Sequence, residues 1–344
     1  MKVLVYKDAK KPLQKNEEIY YHNLKYFIEQ VYKDVMVSDI EEDFDIAHFI
    51  SLNHKDKIIK IKKEKDVPVV VTYIRKRSRQ KEDDPTDLQI PNEEIKILNM
   101  VDKVIVFTKN EYAILKNNKV ETPIEIIGPG VREARFSSMN DLEIAAFIQY
   151  AGINKKDKIA VSMIDPRYSE DIINLYRIAN EFKEMKFFVF VVQNKKVHIP
   201  WKNKRLLKKF PKNINFMSEI DEDLYKSSLL RADYLITPSN PTNAELLIYD
   251  AMITKTPIFA FYSSLLDTIL YDKENAYICD DVESAIKLIK DMYEKKIPLL
   301  VEEAYEFVKE ESFEHIASKI NLLYRELLQK NKETQEVECY KKTR

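Results

Sequence analysis

Glycine is nearly missing from this chain. Gly128, Gly130 and Gly152 are the only three in 344 residues, where average usage of about 7% would supply roughly 24. A dinucleotide fingerprint needs three glycines within six residues, and a P-loop needs two plus a Lys-Ser/Thr pair. Neither can be written here, so any phosphate must be held another way. Cysteine is as scarce: Cys279 and Cys339 stand far apart, which excludes a disulfide framework and a thiolate zinc site. The five histidines, His22, His48, His54, His198 and His315, show no metal-ligand spacing. No run approaches about 18 uninterrupted apolar residues, and the apolar part of MKVLVYKDAKK is too short for a signal peptide. A surplus of one charge is missing too. With 56 basic against 57 acidic side chains the net charge is −1, without the excess of Lys and Arg that general nucleic-acid binding requires. These absences lead to the expectation of a reduced, soluble, cytoplasmic protein.

What is present is a pattern. Short β-branched runs alternate with longer segments of helical period. The first series of strands is expected near Val3–Tyr6, Val35–Ser38, Ile46–Ile50, Val67–Tyr73, Lys103–Phe107 and Ile124–Ile127. Helices fall between them, beginning with Glu17–Tyr32, whose apolar face runs through Ile19, Leu24, Phe27 and Val31. A second series follows at Ile159–Met163, Phe187–Val192, Ile214–Met217, Tyr234–Thr237 and Pro257–Phe261, separated by helices near Ser169–Lys183, Asp221–Arg231, Asn243–Ile253 and Val282–Glu294. Strands alternating with helices of this length pair in parallel through right-handed crossovers. The fold class is therefore α/β, with two doubly wound parallel-sheet domains. The expected boundaries are 1–140 for the first domain and 141–312 for the second, a helix over 313–330 returning toward the first, and a disordered tail over 331–344.

Two helix starts carry a local code. Thr108-Lys109-Asn110-Glu111 and Thr242-Asn243-Ala244-Glu245 both spell a capping box, and both follow expected strands. In an open parallel sheet ligands bind beyond the carboxyl ends of strands, where helix N-termini point. Unpaired first-turn amides and a positive dipole end make such a helix start an anion site without any glycine.

With these segments in place, the chain resembles GT-B glycosyltransferases of family four. The resemblance rests on Val101–Thr108, then Ile126-Ile127-Gly128-Pro129-Gly130-Val131 with Phe136, and on Val161–Tyr168. It continues through Arg231-Ala232-Asp233-Tyr234 to Pro238-Ser239, Asp250-Ala251-Met252, Thr256–Ala260, and the closing Ala304–Phe307 and Ser312–Ala317. It covers about residues 1–330. It implies two Rossmann-like domains facing across a cleft, and transfer of a hexose from a nucleoside-diphosphate sugar to a glycan or lipid acceptor. It further implies retained anomeric configuration, no cofactor and no obligatory metal.

The departures fall where the chemistry should be. The family's glycine and arginine after the first strand of the second domain, and the lysine beyond, read here as Ser162, Met163 and Tyr168, with Arg167 adjoining the lysine position. The paired glutamates become Thr242 and Asp250. The strand-end histidine becomes Ile74, and the glycines of the sugar loop become Ser263 and Ser264, with Asp267 in place of a nearby acid. Losing two cations that each make a charge-assisted bond of about 1.5–3 kcal/mol weakens diphosphate binding unless other donors replace them. What the resemblance implies for the donor side is Ser162, Arg167, Asp250 for the ribose, and Thr242 with Asn243 through backbone amides. For the acceptor or phosphate side it implies Tyr20 and Tyr21 on the first helix, with Arg75, Lys76 and Arg77 compensating for the lost cations.

The run Arg75–Lys81 places five cations in seven residues directly after a strand; it reads either as an anion clamp or as a solvated loop neutralised by Glu82, Asp83 and Asp84. Lys202, Lys204, Arg205, Lys208, Lys209 and Lys212 form a second basic stretch, expected to be solvated, with peripheral contact at the inner membrane face as the alternative. Asp43-Phe44-Asp45 precedes its strand and is read as a turn, and His48 as a buried or supporting histidine. The competing functional expectation is a catalytically silent GT-B domain acting as a binding or scaffolding subunit, because six substitutions at chemical positions leave the hydrophobic frame intact.

Overall fold

A computed structural model of the chain describes residues 1–7, 15–74, 89–131, 133–137, 139–154, 156–191, 199–217, 222–237, 244–262, 266 and 269–342. The chain divides into two compact units, one formed by Met1–Gly130 with Phe313–Arg344 and the other by Val131–Ser312. The division falls at 130/131, ahead of the expected 140/141.

The first unit runs β1 (Lys2–Val5), α1 (Lys15–Tyr26) continued by a π-helical turn (Phe27–Val31), β2 (Val35–Val37), β3 (Ile46–Ile50), α2 (Lys55–Glu64), β4 (Val69–Thr72), α3 (Asn92–Leu98), β5 (Lys103–Val106), α4 (Lys109–Asn117) and β6 (Ile124–Ile126). Its six strands are parallel in the order β2-β1-β3-β4-β5-β6. Because alternate side chains leave opposite faces of a strand, the sheet makes two cores. Leu4, Ala47, Phe49, Val69, Val71, Val104 and Val106 pack with Ile58, Ile61, Ile97, Ile114 and Leu115 of α2, α3 and α4. Val3, Val5, Ile46, Ile50, Val70 and Ile105 pack on the other side with Tyr20, Leu24 and Ile28. Asp45, in the triplet read as a turn, takes the Lys2 amide on its carboxylate at 2.6 Å, while Phe44 is buried.

The second unit contains α5 (Ala134–Ser137), α6 (Asp141–Tyr150), β7 (Lys158–Ile164), α7 (Ser169–Glu181), β8 (Met185–Val191), α8 (Trp201–Leu207), β9 (Ile214–Met217), α9 (Glu222–Arg231), β10 (Tyr234–Thr237), α10 (Ala244–Ile253), β11 (Ile258–Phe261), β12 (Tyr277–Cys279), α11 (Val282–Tyr293) and α12 (Val301–Glu310). The strands are again parallel, in the order β12-β11-β10-β7-β8-β9. One face packs Val161, Met163, Leu235 and Ala260 against α9, α10 and α12. The other packs Ala160, Ile164, Ile236 and Phe259 against α7 and α11.

α13 (Phe313–Lys342) then closes the first unit. Ile316, Ile320, Leu323 and Tyr324 join Tyr20 and Leu24 on the sheet. The helix continues through residues 331–342, where a disordered tail was expected. Asn331 Nδ2 donates to the Asp66 carbonyl at 3.1 Å and Gln335 Nε2 to the Asp66 carboxylate at 2.8 Å, so polar side chains tie down a stretch with no apolar period. Gly130 sits at the junction with φ +72; a Cβ there would stand 3.2 Å from Phe313 Cδ2, and its carbonyl accepts from Asn23 Nδ2 at 3.1 Å.

Candidate functional site

In each sheet the chain order reverses once, and the crevice beyond the carboxyl ends of the two strands at that reversal is where open α/β sheets bind ligands. In the second unit those strands are β7 and β10. β7 runs into the turn Asp165-Pro166-Arg167-Tyr168, and α7 starts at Ser169 with Tyr168 at the N-cap, where its side chain does not cap the helix amides.

The turn is built around Asp165, which is 1% exposed. Its carboxylate accepts from the Arg167 amide at 3.0 Å and from Arg167 Nε at 2.8 Å, and it also takes Arg167 Nη2. The bond to Asp165 holds the Arg167 guanidinium even more firmly charged than usual. Asn203 on α8 locks the turn from outside: its buried amide donates to the carbonyls of Pro166 and Arg167, both at 3.0 Å. The first turn of α7 already carries Glu170 and Asp171, which partly offset the positive dipole end.

A second cluster lies on the α9 and α10 side. Asp250, 2% exposed, accepts from the Tyr225 hydroxyl at 2.9 Å and from Arg135 Nη1 at 3.2 Å. Arg135 also donates to Glu222 through Nη2 at 2.6 Å. Burial pulls against the charge on Arg135, but the attraction of Asp250 and Glu222 outweighs it and the guanidinium stays protonated. Burial first, then the Asp250 charge, pushes the Tyr225 hydroxyl far up, so it is a permanent donor. On the same face, at the end of β10, Thr237 is 1% exposed and its Oγ1 finds no hydrogen-bond partner among the described residues.

Each expected donor-side residue can be placed. Ser162 is fully buried, and its hydroxyl donates to the Ile236 carbonyl at 2.7 Å. It therefore stitches β7 to β10 rather than presenting a free hydroxyl. Its neighbours of the same parity, Ala160 and Ile164, face α7 and α11, whereas Asp250 meets Tyr225 in the opposite layer. The sheet thus separates Ser162 from Asp250. Arg167 stands at the strand end but is engaged by Asp165. Thr242 and Asn243 lie outside the described residues, as do Ser263, Ser264 and Asp267.

In the first unit the reversal lies between β1 and β3. Ser51, just past β3, is 2% exposed with φ +63, and its amide donates to the Thr72 carbonyl at 2.8 Å. Left-handed backbone at a non-glycine residue costs about 1–2 kcal/mol, and such strain collects at functional edges. Nearby, buried Glu17 accepts from Asn53 Nδ2 at 2.9 Å. Tyr20 is a core residue: it is 2% exposed and its hydroxyl accepts from Thr72 Oγ1 at 3.2 Å, so its ring offers no face to a sugar. Tyr21 is also buried, with Lys7 Nζ 4.9 Å from its ring centre. Arg75, Lys76 and Arg77, with the rest of that basic run, lie outside the described residues.

Beneath this edge runs a buried chain of polar groups. His48 Nδ1 is 2.5 Å from the Tyr324 hydroxyl and Nε2 is 2.7 Å from Thr72 Oγ1. With Thr72 donating to Tyr20, its oxygen accepts from His48 Nε2–H, and Nδ1 accepts from Tyr324. Burial lowers the His48 pKa to about 3, so the imidazole is neutral and structural. Burial likewise pushes the Cys279 thiol up to about 12, which leaves it inert. No group of three or more His, Cys, Asp or Glu among the described residues could hold a metal, and no described helix is long and apolar enough to cross a membrane.

Arg135, Glu222, Tyr225, Asn203 and Thr237 were not singled out by sequence reasoning. Nothing local marks Arg135 or Glu222, since their meaning comes from contacts 87 and 115 positions away. Asp165 had one signal: an acid directly after an apolar strand and before Pro.

Two parallel sheets, each reversing its order once and covered by helices on both faces, give this chain two Rossmann-like domains with GT-B-like architecture. A glycosyltransferase from Rickettsia africae matches with a TM-score of 0.70 at 14% identity, over 95% of this chain and 98% of that one. HepE of Anabaena, solved with UDP-glucose, matches with a TM-score of 0.69 at 11% identity, over 95% and 100%. In sequence, the chain is 22% identical over 339 residues to a processive diacylglycerol alpha-glucosyltransferase of Acholeplasma laidlawii, covering 95% of this chain and 99% of that protein. No protein-family model matches.

Proposed function

We propose that this chain is a glycosyltransferase that moves a hexose from a nucleoside-diphosphate sugar to a glycan or lipid acceptor, retaining anomeric configuration and needing no metal or other cofactor. The observation that carries the reading is likeness along the whole length: nearly all of this chain aligns with nearly all of a glucosyltransferase whose named acceptor is a diacylglycerol. Folds of the same kind have been solved with UDP-glucose and with UDP-2-fluoro glucose. In this reading the donor lies at the carboxyl ends of β7 and β10. Thr237 Oγ1 and the first amides of α7 and α10 supply donors, Arg167 supplies the cation, and Asp250 meets the ribose. The acceptor meets the strand ends around Ser51 and Glu17. A thermal-shift panel of sugar nucleotides tests it. A donor at about a hundred times its dissociation constant adds about 2.7 kcal/mol of stability, and radiolabelled hexose from that donor should then appear on diacylglycerol in mixed micelles. No shift with any donor overturns the reading.

A specific observation favours the second reading, a catalytically silent binding or scaffolding subunit. Both charged donor-side residues are already engaged inside the unit, Arg167 by Asp165 and Asp250 by Arg135 and Tyr225. Donor binding without transfer to any glycan or lipid acceptor would select it.

A further inference from the structure

Charge in this chain is balanced overall but not locally. Between Glu184 and Glu219 no carboxylate interrupts nine cations. Six of them, Lys202, Lys204, Arg205, Lys208, Lys209 and Lys212, are exposed on α8 and the turn after it. None of the six forms an ion pair among the described residues. This differs from the other exposed lysines of the same unit, several of which meet an acid: Lys255 with Glu302 and Lys290 with Glu181, for example.

The patch also carries an exposed ring. Trp201 is 69% exposed, with the Arg205 guanidinium 5.0 Å from its ring centre. Phe216, on the edge strand β9, is partly exposed and packs on Phe210 at 5.2 Å. An indole left in solvent beside uncompensated cations is the composition of a membrane-interface anchor, because Trp settles at headgroup level and Lys and Arg are drawn to anionic lipid. Nucleic acid would use the same cations, but a near-neutral chain gains little further attraction from the rest of its surface.

The platform is fixed. Leu206, Leu207 and Phe210 pack into the core beside α7, and Asn203 bonds to the turn that holds Arg167. We propose that α8 and the turn following it form a docking face for an anionic lipid surface, with Trp201 entering the headgroup layer and the six cations meeting lipid phosphates. The same helix clamps the Asp165–Tyr168 turn, so the lipid contact and the candidate site share one rigid element.

Each cation near an anionic leaflet raises binding about fivefold, so the effect is large and salt-sensitive. The full chain is sedimented with vesicles of phosphatidylcholine, with and without phosphatidylglycerol, and with duplex DNA in a parallel arm. No sugar nucleotide is needed, so the result is independent of whether the chain transfers sugar. Binding at least about tenfold stronger to the anionic vesicles, lost in the triple variant Lys204→Glu, Lys208→Glu, Lys209→Glu and weakened in Trp201→Ala, supports the proposal. Circular dichroism and the melting temperature, expected to be unchanged at these exposed sites, verify folding. Equal binding to both vesicle types, indifference to the triple variant, or tighter retention on DNA than on vesicles at the same salt overturns it.

Discussion

Arg135 and Asp250, 115 residues apart in sequence, meet inside the second unit at 3.2 Å. Each also holds a second partner, Glu222 for the arginine and Tyr225 for the aspartate. The pair fastens the short helix α5 to the buried helix α10. Its side chains are 15% and 3% exposed, so removing one charge leaves the other in a poorly solvated place.

Asp250→Ala should therefore lower stability by about 3 kcal/mol, the lower end for a broken buried pair because Glu222 still compensates Arg135. Asp250→Asn keeps an acceptor for Tyr225 and should lose about half of that. Urea denaturation measures both. If Asp250 also meets a ribose, the Asn variant weakens nucleotide binding beyond what its stability predicts; identical titrations in wild type and variant would remove it from the donor site.

Acid should destabilise the first unit through His48. Its pKa is about 3 when folded and 6.5 as a free side chain. Between those values the unfolded chain binds a proton that the folded chain does not, so stability is full above about pH 6.5 and falls as the pH drops toward 3. The slope from this residue approaches about 1.4 kcal/mol per pH unit. Melting temperatures across this range for wild type and His48→Gln test it, with a shallower slope expected in the variant. Equal slopes would place the acid sensitivity elsewhere.

Thr237→Val replaces a buried hydroxyl that has no partner among the described residues with a methyl of the same shape. Such a swap should stabilise by about 1 kcal/mol. If the hydroxyl serves a ligand, the same variant binds nucleotide more weakly while melting higher. A lower melting temperature would mean that the hydroxyl is satisfied in solution.

Gly130→Ala and Gly152→Ala separate backbone cost from crowding. Both glycines have positive φ, +72 and +58, but a Cβ on Gly130 meets Phe313 and Ile316 while one on Gly152 meets nothing within 4 Å. Each should lose about 1–2 kcal/mol from the backbone, and Gly130→Ala should lose more because α13 must shift. Equal losses would show that Phe313 yields freely.

Much of the frame was legible. Eleven of the twelve strands follow from short apolar runs such as Val69–Val71 and Ile258–Phe261, and the central ones are mostly apolar because they are buried on both faces. The capping box at Thr108 reads directly from four residues: the Thr108 hydroxyl accepts from the Glu111 amide at 3.1 Å and Glu111 reaches back to the Thr108 amide at 3.2 Å. β12 was missed because Tyr277–Cys279 holds a single β-branched residue, Ile278, and is followed directly by Asp280 and Asp281. The helix beyond Gln329 was missed because the stretch has no apolar period and its polar contacts are with Asp66, distant in sequence.

The site was legible only by analogy. The sequence places an acid at Asp250 and a cation at Arg167; Arg167 stands in the turn between β7 and α7, and Asp250 lies within α10. That Arg135 and Asp165 are their charge partners could not be read, because a side chain's electrostatic role depends on what lies within a few ångströms. Tyr20 and Ser162 show the same limit, since burial turned one from a stacking platform into core and the other into a strand tie. By itself the sequence determined the order of strands and helices, their two-faced burial and the absence of glycine phosphate loops, all consequences of local period and composition. Only the tertiary structure decided which charges are spent on one another and which, on α8, are left to face outward, because that depends on contacts between residues that the chain order keeps far apart.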